Sequence, residues 1–245
     1  TQIWASEPDE TRLTDLAAKG LRTTNDNNAA VTAADVVVLA VKPQVLKPVA
    51  EAMAEAVQAK QPLIVSVAAG IMSESMDQWL GGNTAIVRCM PNTPALVQQG
   101  ASGLFANEKV TPEQRAQAEQ VMQATGIALW VNAESELDAV TAVSGSGPAY
   151  YFLVMEAMIE AGMKLGLSEE VATQLTLQTA QGAATMAATS EFPAAELRRR
   201  VTSPNGTTEQ AINSFESAGL RQIFMDAMQA CNDRSVELAE ELGRD

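Results

Sequence analysis

The chain has 245 residues, close to half of them hydrophobic and few aromatic, with a formal charge of −14. That length allows one large domain or two modest ones, and the acidic excess excludes general binding to nucleic acid or to an anionic membrane, both of which need a basic field. Histidine is absent and Cys89 and Cys231 are the only cysteines, which removes imidazole acid–base chemistry and reads as two free thiols in a reducing, cytoplasmic setting.

No apolar run reaches membrane-spanning length, and no segment has signal-peptide composition. Residues 1–6, "TQIWAS", predict a strand, residues 9–19 a helix closed by Gly20, and "LRTT" a short strand. "DVVVLAV" (35–41) is the continuous run expected of a central parallel strand covered on both faces. Lys42-Pro43 stops it, and a helix follows to about Lys60. "PLIVSVAAG" (62–70) repeats strand, small-residue turn and helix. "TAIVRCM" (84–90) is a further strand, halted by "PNTP". "ASGLFA" and "ALWV" read as later strands around a helix near 111–125. Strand–helix alternation with short loops predicts an α/β, Rossmann-type doubly wound sheet.

From about Glu134 only helical segments follow, over 148–165, 168–190, 194–200, 207–217 and 220–242. Ile223, Phe224, Ala227, Met228 and Cys231 share one helical face. The reading is a dinucleotide-binding domain over 1–133 and an all-helical domain over 134–245 that completes its core with a partner subunit. A dinucleotide fold places a strand, a glycine turn and a helix ahead of the strand that opens this chain. A preceding segment is therefore expected, and a chain without it is expected to bind cofactor less well.

Three loops end strands on one edge, at Val41-Lys42-Pro43, at "VAAG" (67–70) and at "MPNTP" (90–94). Loops at the carboxyl ends of parallel strands face the ligand crevice. Ser6-Glu7 closes the first strand; Ser6 suits a phosphate, Glu7 suits hydroxyls, and Arg12 is a possible phosphate partner, so NADPH and NADH both stay open. In "AVSGSGPAYY" (142–151) a Pro-initiated helix and a close backbone approach at Gly145 and Gly147 both fit. The stretch "VTSPNGTTEQA" (201–211) offers a Pro-Asn-Gly turn and two threonines at a helix start. An ordinary cap accounts for one threonine, and a cradle for a carboxylate or phosphate accounts for the cluster. The preceding "RRR" reads as a solvated helix end that suits the helix dipole.

Taken in order and spacing, "AVKPQ", "VAAG", "MPNTP", "LDAVTAVSGSGPAYY" and "VTSPNGTTEQA" resemble the pyrroline-5-carboxylate reductase family over essentially the whole chain. The resemblance implies a Rossmann domain, a helical domain that interlocks into a homodimer or homodecamer, and transfer of hydride from NADPH or NADH to the C=N carbon of Δ1-pyrroline-5-carboxylate, giving L-proline in proline biosynthesis. It implies a substrate cradle at Gly206, Thr207 and Thr208, with the Thr208 hydroxyl bonding the ring nitrogen. Val201 and Ser203 would wall the pocket from the partner subunit, and Glu134 would lie near the substrate nitrogen. Ser6, Asn27, Val41, Lys42, Pro43 and Ala69 would contact the cofactor, and Pro91 and Asn92 would border the nicotinamide. The first glycine of the family's S-P-G-G-T is Asn205 here; asparagine tolerates positive φ, so the turn is expected to survive. The chemistry asks for no metal and no nucleophile. A β-hydroxyacid dehydrogenase would need an asparagine one turn after a catalytic lysine, whereas Lys164 is followed there by Ser168. A non-enzymatic nucleotide sensor or scaffold would not need the clustered Gly/Ser/Thr loops.

Overall fold

The strands expected from the apolar runs form two sheets in the computed structural model, which describes residues 2–243. β1 (Trp4–Ser6) pairs in parallel with β2 (Arg22–Thr24). β3 (Val36–Leu39), β4 (Leu63–Ser66), β5 (Ile86–Met90), β6 (Gly100–Ala106) and β7 (Gly126–Trp130) hydrogen-bond in that order as a second sheet. Helices α1 (Glu10–Ala18), α2 (Asn27–Ala33), α3 (Pro43–Lys60), α4 (Ser73–Trp79) and α5 (Pro112–Gln123) fall between the strands, and α6 (Glu136–Val140) follows β7.

Local chemistry explains the boundaries. Asp9 caps α1 by accepting from the Thr11 and Arg12 amides, and Gly20 leaves it at φ 86°. Proline at the first turn starts α3, where its missing N–H costs nothing, and Gln61 ends the helix in the left-handed region. Thr111 and Gln114 form a reciprocal capping box on α5.

β4 is buried at all four positions. Ile64 and Ile86 face Leu46, Ala50, Met53 and Val57 of α3 and Met76 of α4. Leu63, Val65, Val87 and Cys89 face Ala118 and Met122 of α5. Helices thus cover both faces, and the sheet is doubly wound. One sequence expectation changes. The 35–41 run is not central: β3 ends the five-stranded order, and Val38 is exposed. Its Val37 packs on one core cluster and Val36 on the other, so the apolar run reports covered faces, not neighbouring strands. β6 also runs antiparallel to β5, because a single 3-10 turn (Thr93–Val97) joins them with no crossover helix. The α5 crossover then makes β7 parallel to β6.

By packing, the described residues up to Gly145 and those from Cys231 onward form one unit, and Ser146–Ala230 forms a second. The strand pattern stops near residue 133, but the next segment stays on the sheet. Leu137 is buried, and Val140 lies over Gly103, where a Cβ would come within 2.7 Å of it. A π turn (Thr141–Gly145) follows, with Gly145 packed beneath the terminal methyl of Met90. The chain returns to this unit through Leu242, which packs on the sheet core, and through Ser235, whose hydroxyl donates to Asp138 at 2.7 Å.

The second unit is helical. It holds α7 (Gly147–Lys164), α8 (Glu169–Thr189), α9 (Ala194–Arg200), α10 (Thr207–Ser217) and the first part of α11 (Leu220–Gly243). α7 packs on α8 with Gly162 against Ala172, where a Cβ would meet its neighbour at 3.2 Å. Ala172 is the one buried hydrophobic residue of this unit among the described residues. Tyr151, Phe152 and Leu153 are each more than 60% exposed, and Leu165 reaches 87%. Ile212, Phe215, Leu220, Phe224 and Met225 line an open groove of about 520 Å³. Exposed apolar surface on this scale marks an interaction site. Among the described residues, no helix is long and apolar enough to cross a membrane.

Candidate active site

The parallel register sets the first half of the site. Leu39 pairs with Ser66 and Ser66 with Arg88, so β3, β4 and β5 end along one edge, and the three loops expected to meet a cofactor leave from it. Lys42 is exposed at the N-cap of α3, with Val41 and Pro43 half-buried beside it. Ala69 is exposed, next to Gly70 at φ 75°. On the two-stranded sheet, the Ser6 hydroxyl donates to Asn27 Oδ1 at 2.7 Å, which joins two expected cofactor contacts. Arg12 lies 3.6 Å from Glu7 and 3.7 Å from Asp9. An exposed ammonium and a glycine loop at the strand ends, with a hydroxyl–amide pair on the two-stranded sheet, fit a ligand that carries phosphates and hydroxyls.

Pro91 is half-buried at the end of β5. Asn92 spends its side chain on backbone, since its Nδ2 donates to Ser144 O at 3.0 Å and its Oδ1 accepts from Ala101 N at 2.9 Å. It therefore fixes the loop after β5 to β6 and to the π turn.

Glu134 stands in a buried network. Its Oε1 accepts from Arg88 Nη1 at 2.9 Å and from Ser73 N at 2.6 Å, and its Oε2 accepts from Ser73 Oγ at 2.8 Å. The Arg88 and Glu134 side chains are only 9% and 14% exposed. Arg88 also donates to Met72 Sδ at 3.3 Å. Arg88 and Ser73 were not singled out in the sequence, although "TAIVRCM" carries the signal: a charge in a strand buried on both faces must have a partner. Ala69, Arg88, Met90, Asp138 and Ser235 border a cavity of about 10 Å³, at the lower limit for one water. Cys89 is buried, and burial pushes its thiol up to about 12, against a weaker lowering by Ser102, so it is no nucleophile.

The helical unit carries the expected cradle. Pro204-Asn205-Gly206 turns the chain, with Asn205 at φ 59° and Gly206 N donating to Ser203 O at 3.0 Å. A Cβ on Gly206 would sit 2.9 Å from that carbonyl, so the turn needs glycine there. Gly206 is the N-cap of α10 and supplies no side-chain oxygen to the first-turn amides. Glu209 points backward, accepting from Asn205 N at 2.8 Å. Thr207 and Thr208 are exposed, as are Val201 and Ser203. The start of α10 thus presents free donors and two hydroxyls, which is what a small carboxylate requires. The arginines ahead of it are engaged: Arg198 with Glu216, and Arg199 and Arg200 with Glu196.

Comparison with known proteins agrees with this layout. Residues 134–238 match the family model described as pyrroline-5-carboxylate reductase dimerisation, and residues 1–70 match that of NADP oxidoreductase, coenzyme F420-dependent. A pyrroline-5-carboxylate reductase of Pseudomonas aeruginosa is 56% identical over 244 residues, covering 99% of this chain and 89% of its own. The solved pyrroline-5-carboxylate reductase of Coxiella burnetii is 46% identical at a TM-score of 0.94, covering 96% of this chain and 88% of its own. A pyrroline carboxylate reductase of Plasmodium falciparum, solved with NADP bound, is 29% identical at 0.83, covering 96% and 87%. With that identity along nearly its whole length, the chain belongs to the pyrroline-5-carboxylate reductase family.

Proposed function

We propose that this chain reduces the cyclic imine Δ1-pyrroline-5-carboxylate to L-proline, the last step of proline biosynthesis, with NADPH or NADH. The observation that carries the reading is the start of α10, where Thr207 and Thr208 present donors beside Gly206 with no side-chain cap over them. The amides of Thr207 and Thr208 hold the substrate carboxylate against the Gly206 turn, whose own N–H is taken by Ser203 O, with Val201 and Ser203 as walls. The Thr208 hydroxyl is the catalytic hydrogen-bond partner of the ring nitrogen, and the Glu134 carboxylate is a substrate contact. A reduced nicotinamide supplies the hydride for the imine carbon when bound. Ser6, Asn27, Val41, Lys42, Pro43 and Ala69 bind the dinucleotide, Lys42 by charge and Ser6 with Asn27 by hydroxyl and amide, and Pro91 and Asn92 border its ring. The imine enters protonated from solvent, so hydride to carbon alone converts C=NH+ to CH–NH, and no metal and no covalent nucleophile are called for.

The dimerisation match and the uncovered faces of the helical unit support a homo-oligomer, a homodimer or a homodecamer built from such dimers. A cytoplasmic enzyme with no nucleic-acid or membrane partner is the setting that fits the charge. The test is proline-dependent reduction of NAD(P)+ at high pH by the full-length protein. Cofactor reduction that requires proline is expected, and its absence with both nucleotides would overturn the reading.

A further inference from the structure

Among the described residues with an ion pair, Arg88 and Glu134 form the most buried one. Such a pair gains little over well-packed apolar side chains, because desolvating both charges offsets their attraction. Its geometry points to a use. A carboxylate has about four acceptor positions. Here Oε1 takes two donors, Arg88 Nη1 and Ser73 N, while Oε2 takes one, Ser73 Oγ.

We propose that Arg88 is a positioning residue for the reduction: through Oε1 it holds the Glu134 carboxylate oriented, leaving an acceptor on Oε2 for the N–H of the protonated ring nitrogen. The proposal rests on the reading of Glu134 as a substrate contact. The same network also joins the loop that carries Ala69 to the strand that precedes Pro91. A merely structural staple, once cut, would loosen the grip on cofactor and imine alike, whereas a positioning role acts on the imine.

Steady-state kinetics on the full-length protein separates the two, with each substrate varied at saturation of the other. Arg88→Gln keeps an N–H donor and removes the charge. It is expected to raise the imine KM by on the order of 10- to 10²-fold, with the nicotinamide KM within about twofold of wild type. Arg88→Lys, which restores the charge without the planar fork, is expected to fall between the two in imine KM alone. Equal changes in both KM values, or none in the imine KM, would overturn the proposal; if Arg88→Gln does not fold, Arg88→Lys decides on the same criterion. Glu134→Gln keeps the failures apart. A wild-type imine KM there removes Glu134 from the substrate site and this proposal with it, while a raised one beside unaltered Arg88 variants sinks the role of Arg88 alone.

Discussion

Thr208 is exposed in the first turn of α10, so its hydroxyl is free for chemistry and contributes nothing to packing. Thr208→Ala should lower turnover on the imine by about 10²-fold, the low end for a lost positioned hydrogen bond or acid. It should leave thermal unfolding where it was, a split that stopped-flow kinetics beside calorimetry would reveal. Unchanged turnover would remove Thr208 from the mechanism. Cys89 is the opposite case. Burial raises its thiol to about 12, so little thiolate exists at mildly alkaline pH. Iodoacetamide followed by mass spectrometry should leave Cys89 unmodified in the folded protein and label it once denaturant is added; rapid labelling of the native chain would contradict the buried placement.

At the scale of elements, Arg88 joins three of them: β5, the start of α4 and the segment that leads into α6. Arg88→Met removes the cation paired with a buried carboxylate, and such a loss costs about 3–5 kcal/mol. Chemical denaturation should show the midpoint falling without a change in slope; a loss below about 1 kcal/mol would mean the carboxylate finds other solvation. α9 supplies a pH test. Hydrogen bonds from Arg199, then Arg200, hold the Glu196 carboxyl down at about 2, against an ordinary 4.5. A carboxyl depressed in the folded state contributes stability above its unfolded value and loses it as pH falls toward the folded one. The α9 ion pairs should therefore persist between those two values and release at the lower, with the Glu196 side-chain carbon resonance titrating near 2 in NMR. A midpoint at the ordinary value would show the pairs to be transient in water.

For the whole molecule, one feature of the helical unit governs the rest: its helices expose Tyr151, Phe152, Leu153 and Leu165 while Ala172 alone among its described hydrophobic residues is buried. Burying one such side chain stabilises by about 1.5–3 kcal/mol, so an uncovered set of them favours association. Leu153→Asp, placed in that surface, should shift the protein to monomer in light scattering and lower its activity. A variant of native mass and full activity would show that another face joins the subunits.

The sequence by itself determined most of the sheet half, because its strands are short apolar runs ended by Gly, Pro and Asn. The order of loops at Lys42, Ala69 and Pro91 along one edge followed from parallel alternation alone. The turn at Pro204-Asn205-Gly206, down to Asn205 at φ 59°, was legible because only a few residue types tolerate that backbone. Several features were decided by the tertiary structure. Hydrophobicity reports which faces are covered, not which strands adjoin, so the edge position of β3 and the reversal of β6 lay outside the pattern. The engagement of Glu134 by Ser73 and Arg88, and the return of Leu242 and Ser235 to the sheet unit, depend on residues far apart along the chain. Their pairing leaves no local period to read: a carboxylate's partner is chosen by the distance and burial that folding creates.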